Sequence, residues 1–94
     1  MDFDFEWFKN VIKPKLIQYK LNFDRLNSDS GLEYIDRVEI QGNQLGGEIM
    51  FYNDGRIYVF LYHHINEKIL LNTMIDSQDE KEKEEVLMLL QKLL

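Results

Sequence analysis

The sequence contains no cysteine and a single proline. Without thiols there is no disulfide frame, no thiolate metal site and no cysteine nucleophile, and a cytoplasmic setting is the expectation. No apolar run approaches the roughly 18 residues that a membrane helix requires, and Met1-Asp2-Phe3-Asp4 lacks a basic leader, so neither a membrane span nor a conventional export signal is expected. Positive charge is also scarce. Eleven Lys and Arg face 17 Asp and Glu, a net charge of −6, and this balance opposes binding to nucleic acid or to an anionic lipid surface.

Groups for catalysis or metal binding are equally sparse. The only histidines, His63 and His64, are neighbours; at a strand end they point to opposite faces and make a poor chelate. The hydroxyl-rich segment Ser28-Asp29-Ser30 has no histidine near it in sequence, which argues against a serine hydrolase. Gly46-Gly47 precedes no Lys-Ser/Thr pair and no helix, so it does not read as a phosphate loop. No metal and no cofactor is therefore expected. An enzyme using unmarked carboxylates is the most distant reading.

What is present describes a folded domain. Hydrophobic residues make up 45% and aromatics 13% of 94 residues, a globular composition and enough for one modest core, so residues 1–94 are expected to form a single domain. The organising stretch is GGEIMFYNDGRIYVFLY, residues 46–62. Asp54-Gly55 between alternating apolar residues signals a hairpin, because glycine supplies the φ > 0 position of the turn. A two-residue turn would pair Phe51 with Tyr58. A three-residue loop ending in a Gly55 bulge would pair Phe51 with Ile57 and is favoured, because it sorts the side chains. Ile49, Phe51, Ile57, Val59 and Leu61 then share one face; Glu48, Met50, Tyr52, Arg56, Tyr58, Phe60 and Tyr62 share the other.

Before the hairpin, Phe5, Phe8, Ile12, Leu16, Tyr19, Phe23 and Leu26 recur at intervals of three and four, which predicts a helix over 3–26, kinked or broken at Pro14. Asp2 or Asp4 suits its N-cap, and Phe3, Trp7 and Val11 flank the main stripe. A strand is expected over about 32–41, and another over 67–75 with Ile69 and Leu71 on the aliphatic face. Ser77-Gln78-Asp79-Glu80 fits a capping box at the start of a C-terminal helix. Val86, Leu89, Leu90 and Leu93 form that helix's apolar stripe, widened by Leu87 and Leu94, and its acidic first half is expected in water.

The fold class expected is α+β: a two-layer α/β sandwich of order α-β-β-β-(β)-α, with helices covering the aliphatic face of an antiparallel meander. Double-stranded-RNA-binding domains share the α-β-β-β-α order, but the likeness stops there. Their last helix starts with basic residues and their first strand turn carries a histidine; here Asp79, Glu80, Glu82 and Glu84 start the helix and the turn is GNQLGG.

With both helices assigned to the aliphatic face, the aromatic face is left without a cover, and an apolar patch of that kind marks an interface. Met50, Tyr52, Tyr58, Phe60 and Tyr62, with Leu70 alongside, would be its centre, and Arg37, Arg56, Glu39 and Glu48 its rim. Asp79, Glu80, Glu82 and Glu84 would form an acidic contact surface. The function expected is a small acidic, non-enzymatic protein-binding domain. By analogy of size and charge it would be an inhibitor or sequestering protein of the anti-defence (anti-CRISPR-like or antirestriction-like) or toxin-immunity kind, from bacteria, a phage or a mobile element. Its partner would be a basic nucleic-acid-handling protein or a toxin. The alternative is a homodimeric chaperone-like or structural adaptor.

Overall fold

The computed structural model describes residues 2–94. Five antiparallel strands, β1 (Lys20–Asn27), β2 (Tyr34–Gly42), β3 (Leu45–Tyr52), β4 (Ile57–His63) and β5 (Lys68–Ile75), form one sheet in the order of the chain. A short N-terminal helix and a C-terminal helix, α2 (Glu80–Leu93), flank it. The fold is thus α+β, with an open antiparallel meander. Among the described residues no helix is long and apolar enough to cross a membrane.

The hairpin has the three-residue loop. Phe51 pairs with Ile57 and Met50 with Tyr58, the Tyr52 amide donates to the Arg56 carbonyl at 2.9 Å, and Gly55 has φ +101°. This register fixes the core. Ile49, Phe51, Ile57, Val59 and Leu61 are all buried, joined by Val38 and Ile40 from β2 and Ile75 from β5. Phe8, Ile12 and Leu16 from the N-terminal segment and Leu87 and Leu90 from α2 pack onto them. Both helical elements therefore lie on the same side of the sheet.

The N-terminal helix is shorter than its apolar spacing predicts. Asp4 caps it, accepting from the Trp7 amide at 2.9 Å. It runs as an α-turn (α1, Phe5–Trp7), a wider π-turn (Phe8–Ile12) and a 3-10 turn (Lys13–Lys15). Pro14 explains the end: it has no amide to donate, and its ring crowds the carbonyl four residues back, so a regular α-turn cannot continue through it. Leu16 leaves helical geometry at ψ 40°, and the chain enters β1. The helix expected over 16–26 is thus replaced by a turn and the strand β1. The eight residues of β1 each pair with one of β2. Asn22, Asp24 and Asn27 are weak helix formers, and pairing with β2 satisfies one edge of backbone groups that a helix would have left unpaired on that strand. With five strands, the order also departs from that of the double-stranded-RNA-binding domains.

Four smaller expectations change. Asp79, not Ser77, caps α2: its Oδ1 accepts from the Glu82 amide at 3.0 Å. Ser77 instead gives its carbonyl to the Lys83 ammonium at 2.9 Å. Lys83 is buried and also bonds Glu80 at 3.1 Å, so the first half of α2 is anchored by a lysine rather than standing wholly in water. The stripe of α2 is centred on Lys83, Leu87 and Leu90, four and three residues apart, and leaves Leu89 exposed. Finally, a bulge between β4 and β5 pairs Leu61 with Leu71 but Tyr62 with Ile69. The extra residue, Leu70, turns to the core, and Ile69 moves to the opposite face.

Candidate protein-binding surface

Because paired residues of an antiparallel ladder share a face, the register lays out the side of the sheet away from the helices. One row across it reads Asp24, Arg37, Met50, Tyr58, Met74; the next reads Asn22, Glu39, Glu48, Phe60, Asn72; the third reads Lys20, Gln41, Gly46, Tyr62, Ile69. Leu26, Ile35 and Tyr52 begin a fourth. Met50, Tyr52, Tyr58, Phe60 and Tyr62 are all half-buried by their neighbours and none belongs to the buried core. The structure thus brings the five expected sheet residues together on the uncovered face. Leu70 is not among them, while Ile69 and Met74, about half exposed at 55% and 45%, are.

Polar contacts hold these side chains in place. The Tyr58 hydroxyl donates to Asn72 Oδ1 at 2.6 Å, and the Tyr52 hydroxyl lies 3.9 Å from Met50 Sδ. Arg56 sits at the hairpin end with its guanidinium 4.5 Å from the centre of the Tyr52 ring and its Nε 2.8 Å from Asp54 Oδ2. The Arg56 amide and side chain together hold the Asp54 carboxyl below its ordinary value. Across β1 and β2, Arg37 grips Asp24 with two bonds, at 3.0 and 2.6 Å, and depresses that carboxyl in the same way.

A concavity of about 380 Å³ lies on this face above Gly46, between β1 and β4. Gly46 makes room for the His64 ring, whose Nε2 would stand 2.7 Å from a Cβ there and which meets Tyr62 edge-on at 5.5 Å. The two histidines point to different sides: His63 pairs with the buried Leu45 and its Nδ1 accepts from the Asn66 amide, whereas His64 packs over Gly46. Lys20 and Asn22 line the outer wall. Sequence reasoning missed both, because residues 20–26 read as helix; the signal that would have placed them is the run of Asn and Asp between the apolar residues.

The acidic residues are elsewhere. Asp79, Glu80 and Glu84 are exposed and Glu82 half-buried at the start of α2, on the helical side of the sheet. The fold adds the N-terminal acids to them. Asp2 shares one surface hollow with Glu80 and Glu84, and Asp2, Asp4 and Glu80 share another with Tyr52, Gly55 and Arg56. The aromatic face and the acidic end are therefore two surfaces on different layers that meet at the hairpin turn. Compared with known protein families, curated proteins and solved structures, the chain matches none.

Proposed function

We propose that this chain is a small acidic protein-binding domain that sequesters or inhibits another protein in the bacterial cytoplasm. The anti-defence and toxin-immunity proteins are the functional class it fits best, and its partner is a basic protein such as a nucleic-acid-handling enzyme or a toxin. One observation carries the reading: both helices pack on one side of the sheet, and the other side presents Met50, Tyr52, Tyr58, Phe60 and Tyr62 to solvent. Aromatic and methionine side chains of this kind form the centres of protein interfaces, where their burial governs dissociation. The acidic end, reached at Tyr52 and Arg56, steers a basic partner into encounter. That field is screened beyond about 8 Å at physiological salt, so it acts on association rate.

The experiment is kinetic. Tyr58→Ala with Phe60→Ala speeds release of the partner, whereas Glu82→Gln with Glu84→Gln slows association at low salt and leaves release unchanged. The same aromatic pair tests the second reading, a homodimeric adaptor, which the self-complementary mixture of Lys20, Arg37, Glu39 and Glu48 on the face favours. A dimer in sedimentation that becomes a monomer in the aromatic variant would identify the face as a self-interface.

A further inference from the structure

We propose that the concavity above Gly46 receives an arginine side chain of the partner protein. This rests on the reading of the uncovered face as a protein-binding surface and specifies the chemistry of what it binds.

Glu39 and Glu48 stand directly opposite each other on β2 and β3. Like charges at that spacing repel, and a sheet has no folding reason to place them so. Their compensation is incomplete. Arg37 reaches Glu39 at 3.6 Å, but its guanidinium is already committed to Asp24 at 2.6 Å. Among the described residues Glu48 forms no ion pair. Lys20, on the outer wall, supplies one positive charge against two carboxylates. The next position in the same row is Phe60, and Tyr62 stands beside it on β4. The concavity is therefore lined by both carboxylates, with Phe60 and Tyr62 on the β4 side and Lys20 on the β1 side.

This combination matches a guanidinium group. It is planar and weakly hydrated, its N–H groups fork onto a carboxylate, and its face stacks on an aromatic ring. A lysine ammonium would satisfy the charge but not the flat wall. Positive charge on the occupant also agrees with the net charge of −6. Gly46 lets the His64 ring lie flat against the sheet at one end of the concavity; a Cβ there would stand 2.7 Å from its Nε2 and displace it.

The test uses the whole chain, isotope-labelled, titrated with N-acetyl-arginine amide while amide resonances are followed. The expected result is saturable shifts of Gly46, Glu48, Phe60 and Tyr62, about tenfold weaker binding in Glu48→Gln, as loss of a charge-assisted fork implies, and no comparable binding of N-acetyl-citrulline amide. Glu39→Gln serves as a second, equally isosteric variant, and each variant's own amide spectrum reports that it is folded. The proposal is overturned by an unshifted row, by equal affinity for the citrulline compound, or by shifts confined to the start of α2. Free arginine binding tenfold or more tightly than the blocked form would make the slot a small-molecule site and overturn it also. If the aromatic variants lose the partner while the arginine probe leaves the row unshifted, the surface reading stands and the arginine slot falls. If the aromatic variants hold the partner as tightly as the native chain, the surface reading falls and the slot's assignment to a partner falls with it.

Discussion

Arg25 on β1 and Asp36 on β2 face each other on the helical side of the sheet and share two hydrogen bonds, at 2.7 and 3.1 Å. One register position away the polarity is reversed: Asp24 meets Arg37 on the uncovered side. The edge strand β1 is thus pinned from above and below by two forked arginine–aspartate pairs. They differ in burial. The Asp36 side chain is only 12% exposed, against 44% for Asp24. Removing Arg25 leaves a carboxylate in a dry place, whereas removing Arg37 leaves one that water can reach. Arg25→Met is therefore expected to lower the thermal midpoint more than Arg37→Met, as melting curves of the two variants would show.

The same strand shows where sequence reasoning stops. The apolar positions Tyr19, Phe23 and Leu26 continue a helical stripe, and the stripe is real through Phe8, Ile12 and Leu16, which are all buried. Beyond Leu16 the spacing is coincidental. Phe23 and Leu26 lie on opposite faces of a strand, and what selects the strand is eight residues of pairing with β2, a contact between positions such as Lys20 and Gln41 that no local window contains. The hairpin was legible because its information is local: the Asn53-Asp54-Gly55 turn and the alternation on both sides determine the register. The aromatic side of the candidate surface was legible for the same reason. The wall formed by Lys20 and Asn22 was not, and neither was the approach of Asp2 and Asp4 to Glu80.

Gly55 occupies a backbone conformation, φ +101°, that side-chain-bearing residues resist, and a Cβ there would stand 3.2 Å from that of Ser77. Gly55→Val is expected to destabilise the fold by about 1–2 kcal/mol, the strain of forcing a β-branched residue to positive φ. Chemical denaturation gives the value. A neutral result would mean that the turn rebuilds itself without cost.

At the start of α2 the side chain that accepts a helix amide belongs to Asp79. Asp79→Ala should therefore cost about 1 kcal/mol, the usual loss for an N-cap. Ser77 contributes its backbone carbonyl rather than its hydroxyl to the anchor of Lys83, so Ser77→Ala should leave stability close to native. Equal losses in the two variants would restore the capping box.

Acid should weaken the fold through two carboxylates. Asp24 is depressed by the Arg37 hydrogen bonds and Asp54 by those of Arg56. A folded value below the unfolded one means that the stabilisation is complete above the ordinary value of 3.8 and is lost as pH falls through the depressed folded value. Titration of the carboxyl resonances should place both midpoints below 3.8. Arg37→Met should return Asp24 toward 3.8 and leave Asp54 where it was.

The uncovered sheet face as a protein-binding surface is tested most directly by affinity capture from extracts of the source cell. Native chain, Tyr58→Ala/Phe60→Ala and Glu82→Gln/Glu84→Gln would be compared side by side at physiological salt, each first confirmed as folded by circular dichroism. The expected result is one protein retained by the native chain and by the glutamine variant and lost from the alanine variant. Equal retention by all three, or an alanine variant that has unfolded because Tyr58 and Phe60 are core, would contradict it.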